Sequence, residues 1–265
     1  CFWEGIIMPG KLRVEIRECR LARGLFFWLA CAFVVGYVMA GGFLRKYPAG
    51  CQGEFMVWVF NNYHIILVLF PFLLLAATSG GQTQSSRYPV LIRYRDRDEF
   101  FYIKTAVRTG FALLCLLVFA GLLLFIRRKM PVESEHAFIL SEEFGDICVR
   151  QCLNIFCFWS AMLLLHEILQ SIVGNALLDL AVTTFVPLGN YILAKGAAVR
   201  ALEWTPWGRI GYKIEEIVGV PLEEVEKLGR YGFYWWYWLG VILLLLWLAK
   251  ALHGKKDFVF EKNDQ

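Results

Sequence analysis

Six stretches of about twenty mostly apolar residues recur along the chain, at residues 25–44, 55–79, 105–126, 152–170, 176–195 and 231–252. A helix of that length covers the roughly 30 Å hydrocarbon core of a bilayer. Inside lipid a chain must satisfy its own backbone hydrogen bonds, which leaves helices or closed barrels. These stretches lack the period-two alternation of barrel strands. The pattern therefore predicts an all-α, polytopic membrane protein whose single domain has six transmembrane helices.

The segments around these stretches add further elements to the prediction. Residues 11–23 have apolar positions on one helical face and arginines on a neighbouring one, which predicts an interfacial helix at the membrane surface. Pro71 is expected to kink the second span. Residues 171–174 predict a tight turn between the fourth and fifth spans. Residues 196–230 form the longest predicted non-spanning segment and lie on the outer side in this topology.

Composition and charge agree with a membrane protein and argue against several other classes. Hydrophobic residues make up 58% of the chain, well above the usual globular mix, and the spans leave no room for a soluble catalytic domain. The net charge is +4, and no basic run carries interleaved aromatic residues, so nucleic acid is not an expected partner. A small excess of Lys and Arg places both termini in the cytoplasm. Met8 is a candidate native start, and no cleavable signal peptide is predicted.

Motifs for soluble chemistry are incomplete in this sequence. The phosphate-binding pattern G-x-x-x-x-G-K-[ST] is absent, so ATP is not expected to bind this chain. His166-Glu167 begins like a zinc-protease helix, but Gln170 stands where the second ligand belongs, and a polar span boundary is the favoured interpretation. Cys148 and Cys152 share a helix face, and small apolar residues are a better interpretation than a disulfide or a metal site.

Acidic residues near the spans admit more than one interpretation. Asp96, Asp98 and Glu99 resemble a magnesium-diphosphate cluster, but Asp96 as a helix N-cap with Glu99 three positions later is favoured. Asp179 falls early in the fifth span, where a charge is costly. It either lines a substrate path, pairs with a Lys or Arg, or reaches the interface, and the sequence does not decide among these.

Residues 87–104, between the second and third spans, are the most charged part of the chain. Charges of both signs beside aromatic residues suit docking onto another protein. The pattern Arg93-Tyr94-x-x-Arg97-x-x-Phe100-x-x-x-Lys104 resembles the coupling segment of ABC exporter permeases of the type V fold. It is especially similar to the small six-span permeases of Gram-positive bacteria that export peptide toxins or confer bacteriocin immunity. The surface helix, the tight turn and the long segment before the sixth span fit the same layout, which implies that the outer segment at 196–230 is partly re-entrant.

The resemblance implies a permease in a bacterial cell membrane, paired with a second copy or a homologous permease. A separate ABC ATP-binding subunit would dock under each cytoplasmic face and would hold ATP and magnesium, so no cofactor is expected on this chain. The cargo would be an amphipathic or hydrophobic peptide or drug-like molecule. Coupling to the ATPase would fall to Arg93, Tyr94, Arg97, Phe100, Phe101 and Lys104.

Two other functions remain open from the sequence. The same charged segment would serve a membrane scaffold or sensor that binds a partner without transporting anything. An intramembrane enzyme would draw on His166, Glu167 and Asp179. The first would bind a partner without substrate-stimulated ATPase activity, and the second would lose its activity on alanine substitution of Glu167.

Overall fold

The computed structural model describes residues 21–48, 52–60, 63–78, 97–130, 143–173, 181–183 and 234–260. Within these ranges all regular secondary structure is helical, which confirms the helical class. The longer helices are α1 (Leu21–Lys46), α2 (Gln52–Phe60), α3 (Tyr63–Thr78), α4 (Arg97–Arg127), α5 (Glu143–Val173) and α6 (Trp235–Phe260).

Four helices are long and apolar enough to cross a membrane, namely Arg23–Lys46, Asp98–Arg127, Cys148–Ile172 and Trp235–Leu252. They contain the predicted first, third and fourth spans, and residues 235–252 of the predicted sixth span at 231–252. The predicted second span is occupied by two shorter helices, α2 and α3. Of the predicted fifth span only residues 181–183 are described, and the surface helix at 11–23 lies almost wholly outside the described residues. A membrane protein is supported, and the count of six spans stays a prediction.

The helix α4 begins at Arg97, whereas the apolar stretch begins at 105. The end of the predicted coupling segment is therefore continuous with the third span. Asp98 and Glu99 lie in the first turn of α4, where negative charge is favourable because the exposed N–H groups make that end of a helix positive. Asp96, the predicted cap, lies outside the described residues.

The first helix packs antiparallel to α2 and α3. The ring of Phe43, near the end of α1, lies 5.5 Å from that of Phe55 in α2. Near the start of α1, the ring of Phe27 lies 6.0 Å from that of Phe72 in α3, beside Pro71 within the same helix. Because aromatic contacts occur at both ends of α1, α1 runs in the opposite direction to the segment formed by α2 and α3.

The helix α4 runs parallel to α1, and α5 runs antiparallel to both. The buried ring of Trp28 on α1 contacts Phe119 on α4 and Trp159 on α5, both edge-on at 6.3 Å. At the other end of α5, Glu167 meets Lys104 near the start of α4. The three helices share a core of large side chains, and Trp28 and Trp159 are among the most deeply buried.

The last helix, α6, runs parallel to α5. Trp238, in the first turn of α6, donates its indole N–H to the amide oxygen of Asn154 at 2.8 Å. Ala249, further along α6, packs against Leu164 and Ile168, which are also further along α5. In an 18-residue apolar window of each span, 61% of the residues are buried in α5 and 11% in α6. Among the described helices, α5 therefore forms the centre of the bundle and α6 lies at its edge.

Candidate functional site

Three charged side chains meet between α4 and α5. The Lys104 ammonium lies 2.9 Å from Oε2 of Glu167. The Arg108 guanidinium pairs with the other carboxylate oxygen, Oε1. All three side chains are only 11–12% exposed. Lys104 and Arg108 are one helical turn apart and therefore share a face of α4. One carboxylate thus meets two cations, with one oxygen for each; we call these three residues the ion cluster.

The surroundings of the ion cluster are also buried. His166, next to Glu167 on α5, is 4% exposed. Ser171 donates its hydroxyl to the Glu167 backbone carbonyl at 2.8 Å, one turn further along the helix. Serine and threonine commonly make this bond to the preceding turn. The segment of α5 around His166 and Glu167 is therefore a polar stretch that is packed inside the bundle.

A second ion pair lies at the same end of the bundle, between α4 and α6. The Lys250 ammonium lies 2.6 Å from Oδ2 of Asp98. It also lies 5.3 Å from the ring centroid of Tyr102, within reach of a cation–π contact. This pair is more open than the ion cluster, since Lys250 is 39% and Asp98 58% exposed.

A small apolar cluster joins the same three helices. Phe101 of α4, Leu164 and Ile168 of α5, and Ala249 of α6 are all buried against one another. Phe101 is only 2% exposed. The beginning of α4 is thus held to both α5 and α6 by apolar contact as well as by charge.

The predicted coupling residues have different places in the structure. Phe101 and Lys104 face the interior, where their partners belong to this same chain. Phe100 is half-buried. Arg97 begins α4, and the structure does not describe its side chain. Arg93, Tyr94 and Asp179 lie outside the described residues. Any part that Phe101 and Lys104 take in coupling must therefore pass through contacts within the bundle.

Several polar contacts were missed by the sequence analysis. His166 and Glu167 were interpreted as an ordinary polar boundary, but they are buried at 4% and 9% exposure. The place of Arg108 one turn after Lys104 was a usable signal, because two cations on one face near a span call for an acidic partner. The Asn154–Trp238 hydrogen bond gave no such signal, since each residue is unremarkable within its own helix.

Among the described residues, no group of three or more His, Cys, Asp or Glu side chains is arranged to hold a metal ion. Cys148 and Cys152, considered above for a disulfide or a metal, are free thiols. The ion cluster offers charge and hydrogen bonding.

No protein-family model matches this sequence, and comparisons with curated proteins and with solved structures likewise give no match. The functional assignment rests on the residues and their arrangement.

Proposed function

We propose that this chain is the membrane-spanning permease subunit of an ATP-driven exporter of the ABC class, working with a separate ATP-binding subunit. Its cargo would be an amphipathic or hydrophobic peptide or drug-like molecule. The observation that supports this most is the continuity of α4. Residues from Arg97 to Lys104, which resemble a coupling segment, form one uninterrupted helix with a membrane span.

Such a helix is suited to carry a movement from its exposed start into the membrane. The 31 residues of α4 extend about 46 Å at the usual rise per residue. Near its start α4 is tied to α5 by the ion cluster and to α6 through Asp98 and Lys250. A partner that pushed on Arg97 would therefore act on three spans together. ATP can drive the cycle only if the partner binds the two states of the permease with different affinity.

The directions of the helices support the proposed topology. Because α5 and α6 run parallel and both are long enough to cross the membrane, the chain between them must return to the first side. We propose that the predicted fifth span, at residues 176–195, makes this crossing, which gives six spans with both termini in the cytoplasm. A second permease copy or a homologous permease would complete the transport path.

The test begins with purification in mild detergent from the native host, identification of the proteins that co-elute, and an ATPase assay. We expect a stoichiometric soluble partner with a phosphate-binding glycine loop. The variant Arg97→Glu should keep the partner's ATPase activity and lose transport. The matched control is Arg128→Glu, which changes an exposed residue just after the opposite end of α4. This variant should transport normally.

Two results would overturn the exporter proposal. One is a clean preparation with no ATPase partner and no ATPase activity. The other is normal transport by an inserted Arg97→Glu variant. The variant Lys104→Glu is a poor test, because Lys104 is buried against Glu167 and its reversal would bring two carboxylates together inside the bundle.

The intramembrane-enzyme alternative has weaker support from the same site. Glu167 is held between two cations, which occupy both of its oxygens. A general acid or base needs a free position toward its substrate. The arrangement is therefore better suited to holding helices together than to proton transfer.

A further inference from the structure

We propose that Lys104, Arg108 and Glu167 form an ionic latch that holds α4 against α5 at one end of the bundle and whose release lets that end open. The latch deepens the proposed function, because it names the internal contact through which a movement of the coupling segment would reach α5. Its existence does not depend on an ATPase partner.

The latch lies at a boundary between two parts of the bundle. The helices α5 and α6 are joined at two levels, by the hydrogen bond between Asn154 and Trp238 and by packing of Ala249 against Leu164. They are therefore expected to move as a pair. The Asp98–Lys250 pair and the ion cluster each cross from α4 to this pair of helices.

The spacing of the cations fixes the closed position of the latch. Lys104 and Arg108 lie one turn apart on α4, and each contacts a different oxygen of Glu167. This register pairs the carboxylate with both cations at once. A small separation of the helices would leave these charges poorly paired in a region of low dielectric constant, which is costly. The closed state is therefore held by charge and is lost when the carboxylate is removed.

The other end of α4 has a different character. There Gln52 donates its side-chain amide to the backbone oxygen of Met130 at 3.0 Å. Leu123 and Ile126 are buried against α1 in the main core. Neutral and apolar contacts of this kind do not depend on the Glu167 carboxylate. We therefore expect the charged end of α4 to open while this end keeps its packing.

Distances between spin labels at the two ends test the latch. One label pair, Ala106→Cys with Ile172→Cys, reports on the charged end. The matched pair, Phe125→Cys with Val149→Cys, reports on the opposite end of the same two helices. All four positions are exposed. The full chain is used in lipid nanodiscs without ATP or partner, with its native cysteines replaced by alanine and its insertion verified.

We expect one distance distribution at each end in the parent chain. The variant Glu167→Gln should add a second population at the charged end, with a longer distance between the two labels. The opposite pair should not change. The double exchange Lys104→Glu with Glu167→Lys keeps an acid beside two bases and should restore the single population.

The proposal is overturned if Glu167→Gln leaves both pairs unchanged or broadens both ends alike. It is also overturned if the double exchange behaves like Glu167→Gln. Should Glu167→Gln fail to insert, Lys104→Met, which retains the Arg108 pair, replaces it under the same criteria. A latch found in a chain with no ATPase partner would stand while the exporter proposal fell.

Discussion

Glu167 lies inside the bundle with one carboxylate oxygen against Lys104 and the other against Arg108. Such a group gains little over an apolar side chain of the same shape, because taking three charges out of water is costly. Removing the Glu167 carboxylate is destabilising, because two buried cations would remain without their partner. The ion cluster therefore specifies how the helices pack more than it adds to stability.

We expect Glu167→Ala to lower the free energy of unfolding by about 3–5 kcal/mol, the usual cost of breaking a buried ion pair. The variant Asp98→Ala breaks the more exposed pair with Lys250 and should cost less than about 1 kcal/mol. Unfolding in detergent by titration with a denaturing surfactant measures both. Equal losses in the two variants would contradict the difference in burial.

The hydrogen bond from Trp238 to Asn154 gives a second prediction. The variant Trp238→Phe keeps most of the ring and removes the N–H donor, so a buried amide oxygen loses its partner. We expect a loss of about 1 kcal/mol, in line with hydrogen bonds between membrane helices. Trp247→Phe, at an exposed position of the same helix, should be neutral. If Trp238→Phe is equally neutral, the bond does not join α5 to α6.

Between elements, the approach of α1 to α3 depends on one glycine. A side-chain carbon at Gly24 would collide with the backbone oxygen of Ala76, which has no flexible group to move aside. The helices would have to separate at this level. Gly41, in the same helix, has nothing within 4 Å of the same position.

The variants Gly24→Ala and Gly41→Ala test this contact as a matched pair. We expect Gly24→Ala to lower the free energy of unfolding by about 1–3 kcal/mol, as overpacking usually does. Gly41→Ala should be neutral or slightly stabilising, because alanine favours a helix. Thermal unfolding in detergent, followed by size-exclusion chromatography, measures both. A stable Gly24→Ala variant would mean that α1 and α3 are further apart than described.

The sequence was most informative where one helix alone decides the outcome. The spans within α1, α4, α5 and α6 are long apolar runs, and such runs have few alternatives in lipid. The predicted second span was read as one helix, and the structure describes two, α2 to Phe60 and α3 from Tyr63. Residues 61 and 62, between them, lie outside the described residues.

Contacts between helices were beyond the reach of the sequence. Lys104 and Glu167 are 63 residues apart, and neither position shows which helix face meets which. The predicted role of Lys104 in docking came from a local pattern, which carries no information about burial. One signal of burial was present in the sequence. Lys104 and Arg108 lie one turn apart at the edge of a span, and two such cations predict an acidic partner on another helix.

At the scale of the whole molecule, the helix directions predict which ends share a side of the membrane. Single cysteines at Pro48, Lys129 and Trp235 should react with a membrane-impermeant maleimide from one side of sealed vesicles. A cysteine at Asp98 should react only from the other side. All four positions are exposed, and a cysteine-free chain provides the background. Labelling of Lys129 and Trp235 from opposite sides would contradict the parallel course of α5 and α6.

The separation within the ion cluster also has a consequence for biosynthesis. Lys104 and Arg108 leave the ribosome roughly sixty residues before Glu167. Until then α4 carries two cations with no carboxylate from α5, and a cation deep in lipid is costly. The start of α4 is expected to stay at the membrane surface, where long basic side chains reach the headgroups. Its final depth would be set only when α5 follows, so the two spans would mature as one unit.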